Sequence, residues 1–493
     1  IATSTFEWFP GICIHHSTDL MNWEIISYAL DDDSKFNIMG IDTSCGIWAP
    51  NLTYDHGTFY LVYTIVYTNR HRYKDTHNFL IMSNSVTGPW SDPISLNRAG
   101  FDPSIFHDPD GKKWLVNMLF DYRLDHKRFA GVGIQEYDPI TKKLIGLEYN
   151  IFTGSGVGTT EGPNIFYYGG YYYLVTAEGG TAFDHCVTMC RAKNITGPYE
   201  LCPDNPVLTS KGKEDALLKR AGHGQIIQAE GGNWFIAHLC SRTVDDCSIL
   251  GRETAIQNMD YTADGWFRIH ANEDASPESY FEVPEEVEKA GSKDGFVNFA
   301  KNKVPYDYMT LRQSREKNGI RLVDGKLEMT GGNSLASKYK QCFLARRQQH
   351  FSYDFTAAIE FEPTTYRHMA GIACYYNYDN YHYFYISCDD EGYRYIEVLS
   401  SENKVLTESR RVMLAGSSSE VYLRAQVRVR ELQFYYSLDG EHYDPVAPVL
   451  DMRILSDEKI EGNGFTGAMV GVCCQDLMGT DKKAMVRWIN YED

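Results

Sequence analysis

The chain has 493 residues and a formal net charge of −19 at pH 7, from 66 acidic and 47 basic side chains. That length supports two or more domains, each with its own core. The charge argues against a nucleic-acid backbone or an anionic membrane as partner, because both need a basic face, and no run reaches the ~18 apolar residues of a membrane span.

The opening Ile1-Ala2-Thr3 is followed by aromatic Phe6, Trp8 and Phe9, and Thr18-Asp19-Leu20-Met21-Asn22-Trp23 then reads as the outer-strand segment of the first repeat. Four related segments follow: Trp48-Ala49-Pro50-Asn51-Leu52, Phe101-Asp102-Pro103-Ser104-Ile105, Thr160-Glu161-Gly162-Pro163-Asn164-Ile165 and Gly222-His223-Gly224-Gln225-Ile226. Each leads through a turn into an aromatic-aliphatic strand: Tyr60-Leu61-Val62, Trp114-Leu115-Val116, Tyr173-Leu174-Val175 and Phe235-Ile236-Ala237. Counted from Ala49, Asp102, Glu161 and His223, the starts lie 53, 59 and 62 residues apart. A recurrence of that period marks a repeat architecture. Strands punctuated by Gly and aromatics mark the blades of a β-propeller. Equivalent positions of successive blades converge on the central axis, so Trp48, Asp102, Glu161 and His223 are expected around one pocket. Val86-Thr87-Gly88-Pro89-Trp90 and Ile195-Thr196-Gly197-Pro198-Tyr199 are a second pair of echoes, assigned to outer strands.

Ile1-Ala2-Thr3 matches the second strand of a repeat. The counting therefore gives five blades with the first incomplete, its inner strand expected about a dozen residues upstream of Ile1. Val283-Pro284-Glu285-Glu286-Val287-Glu288-Lys289 has a short helical look and ends the first domain, residues 1–289. In residues 290–493 the repeat does not recur. Long alternating strands, such as Tyr353 to Phe361, Met369 to Tyr378 and Tyr381 to Ser387, point to a β-sandwich of jelly-roll or lectin-like type. The fold class is all-β throughout.

Two carboxyls and aromatics without a metal-ligand cluster suit acid–base chemistry on a neutral, polyhydroxylated substrate. Glycoside hydrolysis needs one protonated carboxyl and one ionised carboxylate. Glu161 is the better acid, since its longer side chain reaches a glycosidic oxygen and a neighbouring Asp102 raises its pKa. His223 is placed to hydrogen-bond Asp102 or a sugar hydroxyl, or to hold a water-coordinated cation such as Ca2+ in the channel. No cofactor is required. Arg252, in Gly251-Arg252-Glu253-Thr254-Ala255-Ile256-Gln257, balances the carboxylates and can bind sugar hydroxyls. Twelve cysteines without zinc spacing, among them the Cys186/Cys190 pair and adjacent Cys473 and Cys474, read as buried free thiols and favour the cytoplasm. The Asn51 and Asn194 sequons carry no weight.

Phe6-Glu7-Trp8-Phe9-Pro10-Gly11, Gly46-Ile47-Trp48-Ala49-Pro50, Phe101-Asp102-Pro103-Ser104, Thr160-Glu161-Gly162-Pro163, Gly251 to Gln257 and Gly464-Phe465-Thr466-Gly467-Ala468-Met469-Val470-Gly471 together resemble glycoside hydrolase family 43. The likeness is to its β-xylosidase branch with a C-terminal β-sandwich, and it spans essentially the whole chain. The resemblance implies an inverting, exo-acting hydrolase that releases xylose from xylo-oligosaccharides, with α-L-arabinofuranosidase activity on arabinose-bearing oligosaccharides. It implies Glu161 as general acid and Asp102 as the carboxylate that tunes and orients it. Phe6, Trp48, Phe120, Thr181, His223 and Arg252 would shape the terminal-sugar subsite, with Phe120 standing where relatives often carry Trp. Phe465 would be lent by the sandwich, and the protein would be a homo-oligomer. The family's general base is an Asp on the first inner strand, the segment expected before Ile1; Asp19 and Asp42 stand outside the repeat slot. As written, the chain is expected to bind sugar without activating water. The rival readings are a carbohydrate-binding protein without catalysis and an arabinan-degrading hydrolase, the latter disfavoured by the appended sandwich.

Overall fold

Alternating apolar side chains and Gly-bearing turns fold the first half into five antiparallel sheets around an axis, seen here in a computed structural model. It describes all residues except 71, 271–273, 278–294, 302, 416–418 and 463. Blade I joins Ala2–Thr3, Gly11–His16 and Glu24–Leu30. Blade II runs Gly46–Asp55, Thr58–Arg70, Tyr73–Ser83 and Ile94–Ser95. The inner strands of blades III, IV and V are Ser104–His107, Glu161–Tyr168 and Lys219–Gln228. Their second strands are Lys113–Phe120, Tyr171–Glu178 and Trp234–Ser241. Ala2–Thr3 pairs antiparallel with Gly11–His16. The two Gly-Pro echoes lie in the connections that lead to the outer strands of blades II and IV.

From Phe296 onward the chain builds two facing sheets, a nine-stranded and an eight-stranded one. They enclose a core of Phe355, Ile372, Phe384, Leu423 and Phe434. The helical-looking segment 283–289 and the boundary at 289/290 lie outside the described residues.

The two domains share a sheet. Trp8–Phe9, from the propeller, pairs antiparallel with Tyr308–Leu311 and so becomes the edge of the nine-stranded sheet. Trp8 packs with Tyr28, Phe343, Tyr375 and Tyr383 in a second apolar cluster between the domains. Such a junction fixes the sandwich relative to the propeller axis, and loops of the sandwich can therefore contribute to the axial site. The twelve cysteines are free and buried, and no described helix is long and apolar enough to cross a membrane.

Candidate active site

A cavity of about 1550 Å³ opens at the propeller axis. Phe6, Trp48, Asp102, Glu161, Thr181, His223, Arg252 and Phe465 all line it. Residues from four blades and from the sandwich thus meet, although they span more than four hundred positions of sequence. Phe120 is the exception. Its ring stacks obliquely on Tyr122 at 4.9 Å, outside the cavity wall. Asp19 caps its own turn by accepting the Met21 and Asn22 amides, and Asp42 is paired with Arg70 and Lys338.

The repeat delivers these side chains in two adjacent slots rather than one. On the inner strands of blades II, IV and V a bulge interrupts the register: between Trp48 and Asn51, between Glu161 and Asn164, and around Gly222. Ala49, Asp102, Gly162 and His223 all take positive φ, at 37°, 53°, 56° and 46°. Trp48 pairs with Thr64, Glu161 with Ala177 and Gly222 with Leu239, while the Met118 amide donates to the Phe101 carbonyl at 3.2 Å. Glu161 is therefore the structural equivalent of Trp48 and Phe101, one position before Asp102's slot. The sequence alignment of Glu161 with Asp102 is corrected by one residue. Bulges re-aim consecutive side chains toward one side, which is why both slots reach the cavity. Gly162 is required there: a Cβ would lie 2.6 Å from His223 Nε2, at a φ that side chains rarely adopt.

The local electrostatics separate the two carboxyls. Asp102 is buried and accepts the Gly162 amide at its Oδ2, 3.1 Å away, with His223 Nδ1 at 3.9 Å. Burial raises its pKa, and Lys74, the Gly162 amide and Arg252 oppose the rise. Glu161 is raised first by burial and next by Asp102, against Lys74, His223 and Arg252. The Gly162 amide favours charge on Asp102, so the shared proton resides on Glu161. Burial and then Arg252 push the His223 imidazole down to about 4, and it is neutral at pH 7. Among the described residues no group of three or more His, Cys, Asp or Glu is arranged to hold a metal ion, and nothing around His223 supports the Ca2+ suggested there.

Lys74 escaped the sequence reading. It lies outside the repeat motif, on the third strand of blade II. Its Nζ sits 4.3 Å from the Phe101 ring and 5.1 Å from the Trp48 ring, lining the same cavity. Burial lowers its pKa, and Glu161 and Asp102 hold it up. The other two carboxyls of the cavity wall are occupied: Glu253 by Arg242 at 2.7 Å, Asp307 by Arg346 at 2.9 Å.

The aromatic wall is built from both domains. Phe465 meets Trp48 edge to face at 5.4 Å and Phe6 at 6.0 Å, and the Arg252 guanidinium lies 4.2 Å above its ring. Ser44 holds two of these walls at once. Its carbonyl accepts Trp48 Nε1 at 2.7 Å and its Oγ accepts the Phe465 amide at 3.1 Å. Its own amide donates to Glu7 at 3.0 Å. Gly251 and Gly467 bring the two backbones into contact beside Arg252, with no room for a Cβ on either.

Two carboxyls, charge-balancing cations and an aromatic wall gathered on one cavity make a glycosidase-type pocket. Comparison with known proteins agrees. Residues 1–267 match the model of glycosyl hydrolases family 43, and residues 297–492 match the β-xylosidase C-terminal concanavalin A-like domain. Xylosidase/arabinosidase 43B of Humicola insolens is 41% identical over all of this chain and 93% of its own length. The β-xylosidase of Bacillus subtilis (strain 168) is 38% identical over all of this chain and 95% of its own. The crystal structure of xylan β-1,4-xylosidase from Bacillus halodurans C-125 superposes with a TM-score of 0.96 at 39% identity, covering 100% of this chain and 95% of that one. The chain belongs to glycosyl hydrolases family 43, in the β-xylosidase branch that carries the second domain. Its activity class is the inverting glycosidase activity of that family, of xylosidase or arabinofuranosidase type.

Proposed function

We propose that this protein is an exo-acting β-xylosidase that takes xylose from the non-reducing ends of xylo-oligosaccharides, with α-L-arabinofuranosidase activity in the same pocket. The observation that carries the reading is the enclosure of the Asp102–Glu161 pair by Phe465 and Arg252, which closes one side of the axial cavity. A pocket closed in this way admits a chain end rather than the middle of a polymer. The names of the relatives, xylosidase/arabinosidase and β-xylosidase, support the same substrate class.

Glu161 carries the proton that goes to the departing glycosidic oxygen. Asp102 stays ionised, raises Glu161 and stabilises positive charge that develops at the anomeric carbon. Lys74 and Arg252 keep the pair from taking up a second proton. Neutral His223 and the Arg252 guanidinium offer hydrogen bonds to sugar hydroxyls. Activation of the water is assigned to none of the four cavity carboxyls. The test is product analysis with xylobiose, an aryl β-D-xyloside and an aryl α-L-arabinofuranoside, reading the anomer first formed by NMR. Monosaccharide of inverted configuration is expected from whichever glycoside is turned over; sugar binding with no turnover of any of them would favour the carbohydrate-binding reading instead. Oligomeric fragments from the interior of arabinan would refute it. Light scattering tests the homo-oligomer that accompanies this reading.

A further inference from the structure

A further buried carboxylate stands beside Glu161. Glu178 ends the second strand of blade IV, one residue beyond Ala177, the cross-strand partner of Glu161. It is fully buried. Its two oxygens accept three neutral donors: the Ser155 amide at 2.9 Å, the Ser155 hydroxyl, and the Thr160 hydroxyl at 3.0 Å. All three donors belong to residues 153–160, which connect the outer strand of blade III, Lys143–Phe152, to the inner strand of blade IV, Glu161–Tyr168.

That connection lies outside the strands and carries Gly154, Gly156 and Gly158. It is mostly exposed until it reaches Thr160, which is buried. The Gly158 carbonyl accepts the Gly179 amide at 2.8 Å, so the residue after Glu178 holds the same loop. Hydrogen bonds to a carboxylate are roughly twice as strong as neutral ones. Glu178 is thus the point at which the loop is fastened to blade IV.

The consequence falls on Glu161. Thr160, the residue before it, is held through its hydroxyl by Glu178; Gly162, the residue after it, is held through its amide by Asp102 at 3.1 Å. Regular pairing stops at Glu161 and resumes at Asn164. A bulge leaves the backbone there without an even ladder, and the two buried carboxylates fix it from either side. We infer that Glu178 is a positioning residue for the proton donor: by holding Thr160 it sets the backbone from which Glu161 reaches the departing glycosidic oxygen. The inference rests on the reading of Glu161 as the general acid.

The test measures kcat and KM on xylobiose and on a nitrophenyl β-D-xyloside, with thermal unfolding alongside. The parent is compared with Glu178→Gln, Thr160→Val, Thr160→Ser and Glu161→Gln. An acid out of place should penalise the poor leaving group and spare the good one. Glu178→Gln and Thr160→Val should each lose about tenfold in kcat on xylobiose, part of the roughly 10²-fold that a misplacement of about 1 Å can cost. On the nitrophenyl substrate the loss should stay below about twofold, with KM little changed on either. Thr160→Ser keeps the hydroxyl and should restore parent-like kcat on both substrates. In the Glu161→Gln background, Thr160→Val should bring no further loss on xylobiose, because nothing remains to be positioned. If Glu178→Gln does not fold, Thr160→Val, which keeps the shape of the side chain, decides. Equal losses on the two substrates, parent-like kcat on xylobiose in folded Thr160→Val, or Thr160→Ser as slow as Thr160→Val would each overturn the inference and leave Glu178 an anchor of the loop alone. If Glu161→Gln itself lacks the split between substrates, or the parent does not turn over xylobiose, the functional reading falls and this inference with it.

Discussion

Truncating Phe465 to Ala should separate what the sandwich does for stability from what it does for the sugar. The ring makes an edge contact with Trp48 at 5.4 Å, a tilted contact with Phe6 at 6.0 Å and a cation–π contact with Arg252 at 4.2 Å. Aromatic pairs contribute about 0.5–1.5 kcal/mol each and a desolvated cation–π contact about 2. Roughly 3–5 kcal/mol of domain docking therefore depends on this ring, an upper figure because the partners touch one another and the terms are not strictly additive. The ring is only half-buried and lines the cavity, so its remaining surface is available to a sugar ring. Losing that contact should cost about 1 kcal/mol, roughly fivefold in Kd for xylobiose. Calorimetric unfolding, and titration with xylobiose in the slow-turnover Glu161→Gln background, measure the two quantities. A lowered melting temperature with unchanged xylobiose affinity would refute the reasoning and make Phe465 an ordinary interface residue.

Lys74→Met removes a cation that depresses both Asp102 and Glu161. Both carboxyls should hold protons to higher pH, and the alkaline limb of the pH–rate profile should move upward; an unmoved limb would remove Lys74 from the site. Gly162→Ala forces a Cβ to 2.6 Å from His223 at a positive φ. It should cost about 1–3 kcal/mol of stability by chemical denaturation and depress turnover through the neighbouring Glu161. Burial raises Glu7 from 4.5 to about 7, with Arg312 as the main opposing group. Because the folded-state pKa lies above the unfolded one, its contribution to stability is full below pH 4.5 and is lost as pH rises through 7. Glu7→Gln, which mimics the protonated form, should therefore flatten the fall in stability between about pH 5 and 8 by about 3 kcal/mol; an unchanged slope would show that Glu7 does not titrate there.

The repeat made the architecture legible. Its aromatic strands and turns announced the blades, and the long alternating strands after Phe296 announced the sandwich. The site was legible wherever a residue sat inside that repeat: Trp48, Asp102, Glu161 and His223 all reach one cavity. The one-residue offset of Glu161 was hidden by counting forward to the second strand. Ile105 pairs with Leu115 but Ile165 with Leu174, because the turn of blade IV is one residue shorter. Counting back from Pro50, Pro103 and Pro163 would have found it, since Ala49, Asp102 and Gly162 precede them. Lys74 carries no such signal. It lies on the third strand of blade II, and the packing of that blade against blade III brings it to the Trp48 and Phe101 rings. Ser44 was equally silent, because its hold on both Trp48 and Phe465 depends on how the sandwich docks. That docking is set in part by Trp8–Phe9 joining a sheet formed some three hundred residues later. Phe120 does not line the cavity, and its ring packs on Tyr122.

The central claim is that Glu161 is the proton donor. It is tested most directly by comparing Glu161→Gln with its parent on two substrates that differ in leaving group. Xylobiose releases a poor leaving group and needs full protonation, whereas a nitrophenyl β-D-xyloside releases a phenolate that needs little. General acid catalysis contributes roughly 10²–10⁴-fold, so kcat on xylobiose should fall by about that factor, and kcat on the nitrophenyl substrate should fall far less. Equal losses on the two substrates would contradict the assignment of Glu161 as the acid.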